Sequence, residues 1–186
     1  KKNQIDIIWK KKPKDLIKPF FSISKKYVGQ NSKEKIAKIK KILLKNKVDY
    51  LLVTAPENVA WTLNIRGYDS AFSPIPNARL LINKNGDIDL FAEIRKIEKI
   101  KKVLSEKIKF YDEKLIEKKL LNLCNNNIWL DSLSCSTHYK NFLEKRNKII
   151  EKIDPIYFFK SIKNPTEIKN MKKSHIVDGV ALTKFL

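Results

Sequence analysis

The stretch Asp49-Tyr50-Leu51-Leu52-Val53-Thr54 decides the fold of this chain of 186 residues. The residues from Tyr50 to Val53 form an uninterrupted apolar run, whereas a strand with one wet face alternates apolar and polar residues. Such a run is typical of a strand that is buried on both faces of a mostly parallel sheet. Helices must then cover both faces, so we expect an α/β layer architecture.

The segment before this strand is predicted to be an amphipathic helix. Asn31 or Ser32 is placed to cap it, and Glu34 follows at the position of a capping box. Its apolar residues share one helical face and its lysines line the wet side: Ile36, Ile39 and Leu43 against Lys38, Lys41 and Lys45. The segment after the strand predicts a second capping box, formed by Thr54 and Glu57, and a short helix that runs through Leu63.

Two further strands are predicted to form a β-hairpin around Asn85-Gly86. They run from Ala78 to Ile82 and from Ile88 to Ala92. An Asn-Gly pair supplies the two positive φ angles that a type I′ turn requires. The hairpin makes the predicted sheet mixed rather than purely parallel.

Helices and strands alternate through the rest of the chain. The predicted helices are Ile94 to Leu104, Lys114 to Leu123 and Thr137 to Arg146, and the predicted strands are Ile108 to Tyr111, Asn127 to Asp131 and Ile156 to Phe159. Asn164-Pro165-Thr166-Glu167 combines a cap, a proline at the first helical position and a glutamate at the third, which predicts a last helix. We expect that helix to continue into further sequence, because no Gly or Pro closes its pattern at Leu186.

The net charge of +20 arises from 40 Lys and Arg against 20 Asp and Glu. Only Arg66, Arg79, Arg95 and Arg146 are arginines, and the lysines are spread over most of the chain. A nucleic-acid surface more often concentrates arginine beside aromatic residues. The charge therefore favours a solvated basic surface over nucleic-acid binding.

The apolar runs and the cysteines exclude two other classes of protein. No apolar run approaches the ~20 residues of a membrane helix, so we expect no membrane association. Cys124 and Cys135 provide neither a disulfide framework nor a zinc-binding pair of motifs. A reducing, cytoplasmic location is expected.

Few residues match a catalytic motif. His138 and His175 lie outside metal-binding spacings, and four glycines leave little scope for a phosphate-binding loop. Asp131 lies at the carboxyl end of a predicted strand, where α/β folds place functional groups, but a turn residue would also fit there.

The stretch Asn64-Ile65-Arg66-Gly67-Tyr68-Asp69 is the part of the sequence that a purely structural role explains least well. It combines Arg, Tyr and Asp in a chain whose basic residues are mostly lysines. A loop that contains prolines follows it. Two interpretations stay open: a rigid turn in which Arg66 pairs with Asp69, or a contact with a ligand or partner.

At these residues the sequence resembles the Xaa-Pro aminopeptidase (aminopeptidase P) family of the creatinase and prolidase superfamily. The matching segments occur in family order along nearly the whole chain: Ile5 to Trp9, Tyr27 to Gly29, Asn58 to Gly67, Ile128 to Ser132, Ser161 to Ile168 and His175 to Leu182. The most specific are the Trp-x-x-Asn-x-Arg-Gly block at Trp61 and the Lys-Asn-x-x-Glu block at Lys163, the latter followed by Asp178-Gly179-Val180.

The resemblance implies a domain organisation. Long members of this family have two related α/β domains and a C-terminal catalytic domain. Residues 1–30 would be a linker from a preceding domain, and residues 31–160 a middle domain of the creatinase N-terminal type with ribonuclease H-like layers. Residues 161–186 would be the first helix leading into the catalytic domain.

The resemblance also implies the chemistry of the whole enzyme, which removes the N-terminal residue from peptides with proline in second position. Family members hold two divalent metal ions, usually manganese, between two Asp, one His and two Glu. None of those ligands matches a residue here, so we expect no cofactor in this chain and no activity from it alone.

For this region the resemblance implies a noncatalytic role that shapes access to the active-site cleft and supports a homodimer. Arg66, Tyr68, Asp69 and Asn64 are then candidates for contact with the cleft, with the peptide substrate or with a second subunit. The alternative is a stand-alone basic α/β module that binds nucleic acid or a protein partner.

Overall fold

The computed structural model describes residues 4–11, 17–104 and 107–186. The strands in these ranges are β1 (Phe21–Ser22), β2 (Tyr50–Val53), β3 (Ile65–Arg66), β4 (Arg79–Asn83), β5 (Ile88–Ala92), β6 (Ile108–Asp112), β7 (Asn127–Leu130) and β8 (Lys148–Glu151). The helices are α1 (Gln4–Ile8), α2 (Lys25–Val28), α3 (Ser32–Lys45), α4 (Pro56–Leu63), α5 (Ile94–Lys101), α6 (Ile116–Leu121), α7 (Thr137–Leu143), α8 (Pro155–Ser161) and α9 (Pro165–Phe185).

The strand β2 lies inside a mixed sheet with the order β6-β5-β4-β2-β7-β8. It runs antiparallel to β4 and parallel to β7. The β5–β6 and β7–β8 pairs are also parallel, whereas β4 and β5 form the hairpin. Leu51, Leu52 and Val53 are at most 1% exposed, which confirms the prediction of a strand buried on both faces.

Helices cover both faces of this sheet. One face packs against α3, α4, α5 and α8 through a cluster that includes Ile39, Val59 and Ile97. The other face packs against α6 and α7 through Ile116 and Leu143. The predicted fold class, a mixed and mostly parallel sheet flanked by helices, is therefore confirmed.

The hairpin is confirmed, but its turn is not of type I′. Gly86 has a φ of 88°, whereas Asn85 is not among the residues with positive φ. The Gly86 amide donates to the Asn83 carbonyl at 2.9 Å, and the Asn83 amide donates to the Asp87 carbonyl at 3.0 Å. These bonds define a three-residue loop, a type I turn that ends on a left-handed glycine. The Asn83 side chain favours it, because its Oδ1 accepts from the amides of Asn85 and Asp87.

The predicted strand from Ile156 to Phe159 is wrong, because these residues lie in α8. Asp154 caps that helix by accepting from the Ile156 amide at 2.8 Å, and Pro155 occupies the first helical position. The last strand of the sheet is instead β8, which the sequence had not predicted.

The predicted capping box of Thr54 and Glu57 is also wrong. The cap of α4 is Ala55, which makes no side-chain cap bond, and Pro56 begins the helix. The Thr54 hydroxyl lies 2.9 Å from the Ser134 hydroxyl instead, and Glu57 accepts from the Tyr157 hydroxyl.

Capping boxes do begin α3 and α9, as predicted. The pairs are Asn31 with Glu34 and Asn164 with Glu167, each with both reciprocal bonds formed. Within the described ranges, none of the helices combines the length and apolar character that a membrane crossing needs.

The predicted linker of residues 1–30 lies partly outside the described residues, at 1–3 and 12–16. Its later part contributes to the domain: Phe20 is fully buried in the core, and Phe21 pairs with Arg66 in the ribbon of β1 and β3.

Candidate functional site

The candidate stretch begins at Asn64, which ends α4 in a left-handed conformation with φ 54° and ψ 38°. Asparagine tolerates this conformation better than most residues. Its Oδ1 accepts from the Lys35 amine at 2.6 Å, and its Nδ2 donates to the Gln30 carbonyl at 2.8 Å. Asn64 is only 6% exposed, so its side chain is engaged within the domain.

Lys35 is a buried cation that the sequence had not indicated. It is 1% exposed, and its amine donates to the Trp61 carbonyl at 2.8 Å and lies 4.2 Å from the centre of the Trp61 ring. Burial lowers the pKa of Lys35 to about 8. The available signal was its position one turn before Ile39, on the apolar face of the helix.

Arg66 is half-buried at the end of β3. Its Nη1 donates to the carbonyls of Ala60 at 3.2 Å and Ile65 at 2.9 Å. Burial lowers the pKa of this guanidinium, which carries no carboxylate partner among the ion pairs of the described residues. Of the two interpretations left open for this stretch, the one in which Arg66 pairs with Asp69 is therefore wrong.

Asp69 pairs instead with Lys96 of α5. The carboxylate and the amine lie 2.5 Å apart, and their side chains are 10% and 9% exposed. The second carboxylate oxygen accepts from the Asn77 amide at 2.6 Å, and the Gly67 amide donates to the Pro74 carbonyl at 3.2 Å. These contacts close the base of the loop at residues 67–77, which we call the Arg66 loop together with residues 64–66.

The outer part of the Arg66 loop carries aromatic side chains. Tyr68 is 49% exposed, and its ring centre lies 5.4 Å from that of Phe21 and 5.2 Å from the Lys18 amine. Phe72 is fully exposed and was not singled out in the sequence. A guanidinium can bind a carboxylate and an exposed aromatic ring can contact an apolar side chain, but a guanidinium supplies no nucleophile or general base.

A second polar cluster lies where β7 ends. Asp131 accepts from the Leu133 amide at 2.9 Å and the Asp154 amide at 3.1 Å, which gives it the role of a turn residue. Asp154 accepts from Asn58 Nδ2 at 2.8 Å, and Lys160 donates to Asn58 Oδ1 at 2.8 Å. Burial raises the pKa of Asp154 to about 6. These bonds tie α8 to α4.

The remaining titratable candidates form no catalytic site. His138 lies on the surface with its Nε2 2.9 Å from Glu117. Burial raises the pKa of the Cys135 thiol to about 11, which keeps it neutral and weakly nucleophilic. Across residues 4–11, 17–104 and 107–186, no three His, Cys, Asp or Glu side chains are grouped to hold a metal ion. These residues do not fit a dinuclear metal centre.

Comparison with known families and proteins identifies relatives over most of the chain. Residues 11–167 match the Creatinase/Prolidase N-terminal domain family. The chain is 34% identical over 169 residues to Xaa-Pro aminopeptidase 1 of Dictyostelium discoideum, covering 89% of this chain and 26% of that protein. It is 27% identical over 191 residues to the Xaa-Pro aminopeptidase ApepP of Drosophila melanogaster, covering 98% of this chain and 31% of that protein.

Solved structures share the fold. An X-prolyl aminopeptidase from Caenorhabditis elegans, described as a cytosolic enzyme with a di-nuclear active site, superposes with a TM-score of 0.85 at 20% identity, over 99% of this chain and 31% of that one. The prolidase from Pyrococcus horikoshii gives a TM-score of 0.58 at 23% identity, over 80% of this chain and 41% of that one. The chain thus spans between a quarter and a third of the length of the curated relatives it matches.

Proposed function

This chain belongs to the Creatinase/Prolidase N-terminal domain family, and we propose that it is the noncatalytic accessory region of a metal-dependent Xaa-Pro aminopeptidase. The observation that carries the proposal is its 34% identity to a Dictyostelium Xaa-Pro aminopeptidase over 89% of the chain. The full-length enzyme would remove the N-terminal residue from peptides with proline at position two.

The metal chemistry of this enzyme would belong to a catalytic domain outside this chain. Two divalent ions, Mn²⁺ in this proposal, would be held there, since the residues described here do not fit such a centre. The chain covers only 26% of the Dictyostelium relative, which leaves ample length for a further domain. We place the protein in the cytoplasm, as the C. elegans relative is described as cytosolic.

The helix α9 supports an interface with that catalytic domain. None of its 21 residues is buried. One exposed side of it combines apolar residues with lysines: Pro165, Ile168, Ile176 and Val177 with Lys169, Lys172 and Lys173. An exposed apolar helix face is typical of an interaction surface.

The Arg66 loop is our candidate for contact with the active-site cleft or with a second subunit of a homodimer. Arg66 and Tyr68 would make the contact, while the engaged side chains of Asn64 and Asp69 would position them. A guanidinium that has no carboxylate partner among the residues the structure describes is suited to bind a carboxylate of a peptide or of a neighbouring subunit.

Hydrolysis of an Xaa-Pro peptide with added Mn²⁺ tests the proposal, measured side by side on this chain and on the full-length protein. We expect cleavage by the full-length protein and none by this chain. Two inactive proteins would overturn the proposed activity, and a nucleic-acid titration would follow. Cleavage by this chain would overturn its noncatalytic role.

An Arg66→Ala variant of the full-length protein tests the proposed contact. We expect kcat/KM for the peptide to fall about tenfold, the effect of losing one charge-assisted hydrogen bond. Arg95→Ala is the matched control, because Arg95 is exposed and pairs with Glu93 on the surface. Equal kinetics for both variants and the wild type would contradict the contact.

A further inference from the structure

The helix α9 touches the rest of the domain mainly at one short segment, residues 27–30, where α2 ends. Asn164 Nδ2 donates to the Val28 carbonyl at 2.9 Å, and Asn170 Nδ2 donates to the Tyr27 carbonyl at 2.8 Å. Both bonds come from the first part of α9. Beyond them the helix extends through residues that are all exposed in the described chain.

Gly29 fits this contact for two reasons. Its φ of 74° is in the left-handed region that side chains disfavour. A Cβ at this position would also lie 2.3 Å from Asn164 Oδ1 and 2.8 Å from Asn164 Cγ. Asn164 cannot swing away freely, because its Oδ1 accepts from the Glu167 amide at 3.0 Å while its Nδ2 binds Val28.

The same segment is also bound by the base of the Arg66 loop. The Gln30 carbonyl accepts from Asn64 Nδ2 at 2.8 Å, and Asn64 Oδ1 in turn accepts from the buried Lys35 amine. Asn164 and Asn64 thus donate to the carbonyls of Val28 and Gln30, which are only two residues apart. A short run of backbone links the Arg66 loop to α9.

We propose that residues 27–30 form a joint that sets the direction of α9 relative to the Arg66 loop, with Asn164, Asn170 and Gly29 as positioning residues. In the full-length protein, and resting there on the proposed function, the joint would fix the catalytic domain relative to that loop.

The distance between α3 and the far end of α9 tests the joint directly. Spin labels are attached to this chain at Lys41→Cys and Lys184→Cys, both exposed positions, with Cys124→Ser and Cys135→Ala in the background. Pulsed dipolar EPR then gives the distance distribution, and circular dichroism confirms that each variant is folded.

Two variants break the joint and each has a matched control. Asn164→Asp keeps the helix cap but removes the donor to Val28, while Asn31→Asp alters the equivalent cap of α3, which makes no bond to another element in the described residues. Gly29→Ala adds both strain and a clash. Gly86→Ala adds the strain alone, because its nearest neighbour lies 3.5 Å from the new Cβ.

We expect a single narrow distance for the wild type and both controls. Each hydrogen bond lost at the joint raises the population of displaced α9 about fivefold, so Asn164→Asp and Gly29→Ala broaden or shift the distribution. Wild-type distributions for both variants would overturn the joint. So would controls that shift the distribution as much as the variants do.

Kinetics of the full-length protein separate the joint from the proposed function. We expect Asn164→Asp to lower kcat/KM for an Xaa-Pro peptide with unchanged metal content, while Asn31→Asp leaves both unchanged. Unaltered kinetics for Asn164→Asp would overturn the role of the joint in positioning a catalytic domain. A full-length wild type without peptidase activity would contradict only the proposed function, because the EPR measurement is made on this chain.

Discussion

The helices α3 and α9 begin with the same kind of cap, but α3 packs into the core and α9 is exposed. Each starts with an asparagine cap whose capping box closes on a glutamate. Yet α3 buries Lys35, Ile39 and Leu43 in 14 residues, whereas α9 buries none in 21. The start of a helix is thus specified locally, while its packing depends on what the rest of the molecule offers.

The two helices are therefore stabilised by different interactions. α3 is stabilised by burial of an apolar stripe against the sheet. α9 relies on its cap, its length and the hydrogen bonds of Asn164 and Asn170, since its apolar side chains face solvent in this chain. Three predictions test this contrast.

The largest effect is expected from the same substitution made in each helix. Ile39 is fully buried and Ile176 is 68% exposed. Ile39→Ala should lower the free energy of unfolding by about 2–5 kcal/mol, because it leaves a cavity in the core. Ile176→Ala should change it by less than about 0.5 kcal/mol. Urea denaturation of this chain measures both, and similar losses would contradict the contrast.

The next effect concerns the buried charge of α3. The pKa of Lys35 is lowered from 10.5 to about 8, so between these values the native chain has released a proton that the unfolded chain retains. The free energy of unfolding should therefore rise with pH across this window, on the order of 3 kcal/mol. This stability is lost as the pH falls through 8.

Lys35→Met should remove that rise, and Lys38→Met is the matched control because Lys38 lies on the exposed face of the same helix. Denaturation curves between pH 7 and about pH 10.5 give the comparison. The other lysines titrate in both variants, so only the difference between the curves matters. Parallel curves would show that the Lys35 amine keeps an ordinary pKa.

The smallest effect is expected at the two caps. Asn31→Ala should lower the global free energy of unfolding by about 1 kcal/mol, because α3 is part of the core. Asn164→Ala should leave the global value within about 0.5 kcal/mol and instead speed amide exchange in the first turn of α9. Hydrogen exchange followed by mass spectrometry resolves the two helices. If Asn164→Ala does not speed exchange in the first turn of α9, or speeds exchange in the core to the same extent, the cap does not control α9 locally.

Much of the fold could be predicted because its signals are local. The apolar run of β2 and the two asparagine caps identified elements that the structure contains. The error at Ile156 to Phe159 shows the limit, since a short apolar run fits a strand or a helix equally well. Asp154 and Pro155 decide for a helix, and these two start signals were visible in the sequence.

The candidate site was less predictable because its bonds join distant residues. Asp69 lies three residues from Arg66 but binds Lys96, 27 residues away. In the sequence Lys35 resembles the many surface lysines, and only the structure shows that its amine binds Trp61 and Asn64. Residue type and spacing place such groups on an element, but only the packing of α3, α4 and α5 selects their partners.

Lysines on the two edge strands of the sheet affect how the protein associates with other molecules. β6 and β8 are the edges, and each exposes a lysine, Lys109 and Lys148. A charged side chain on an unpaired edge hinders the strand of another molecule from adding to it. These edge lysines therefore disfavour edge-to-edge aggregation of the sheet, a role of positive charge that requires no ligand.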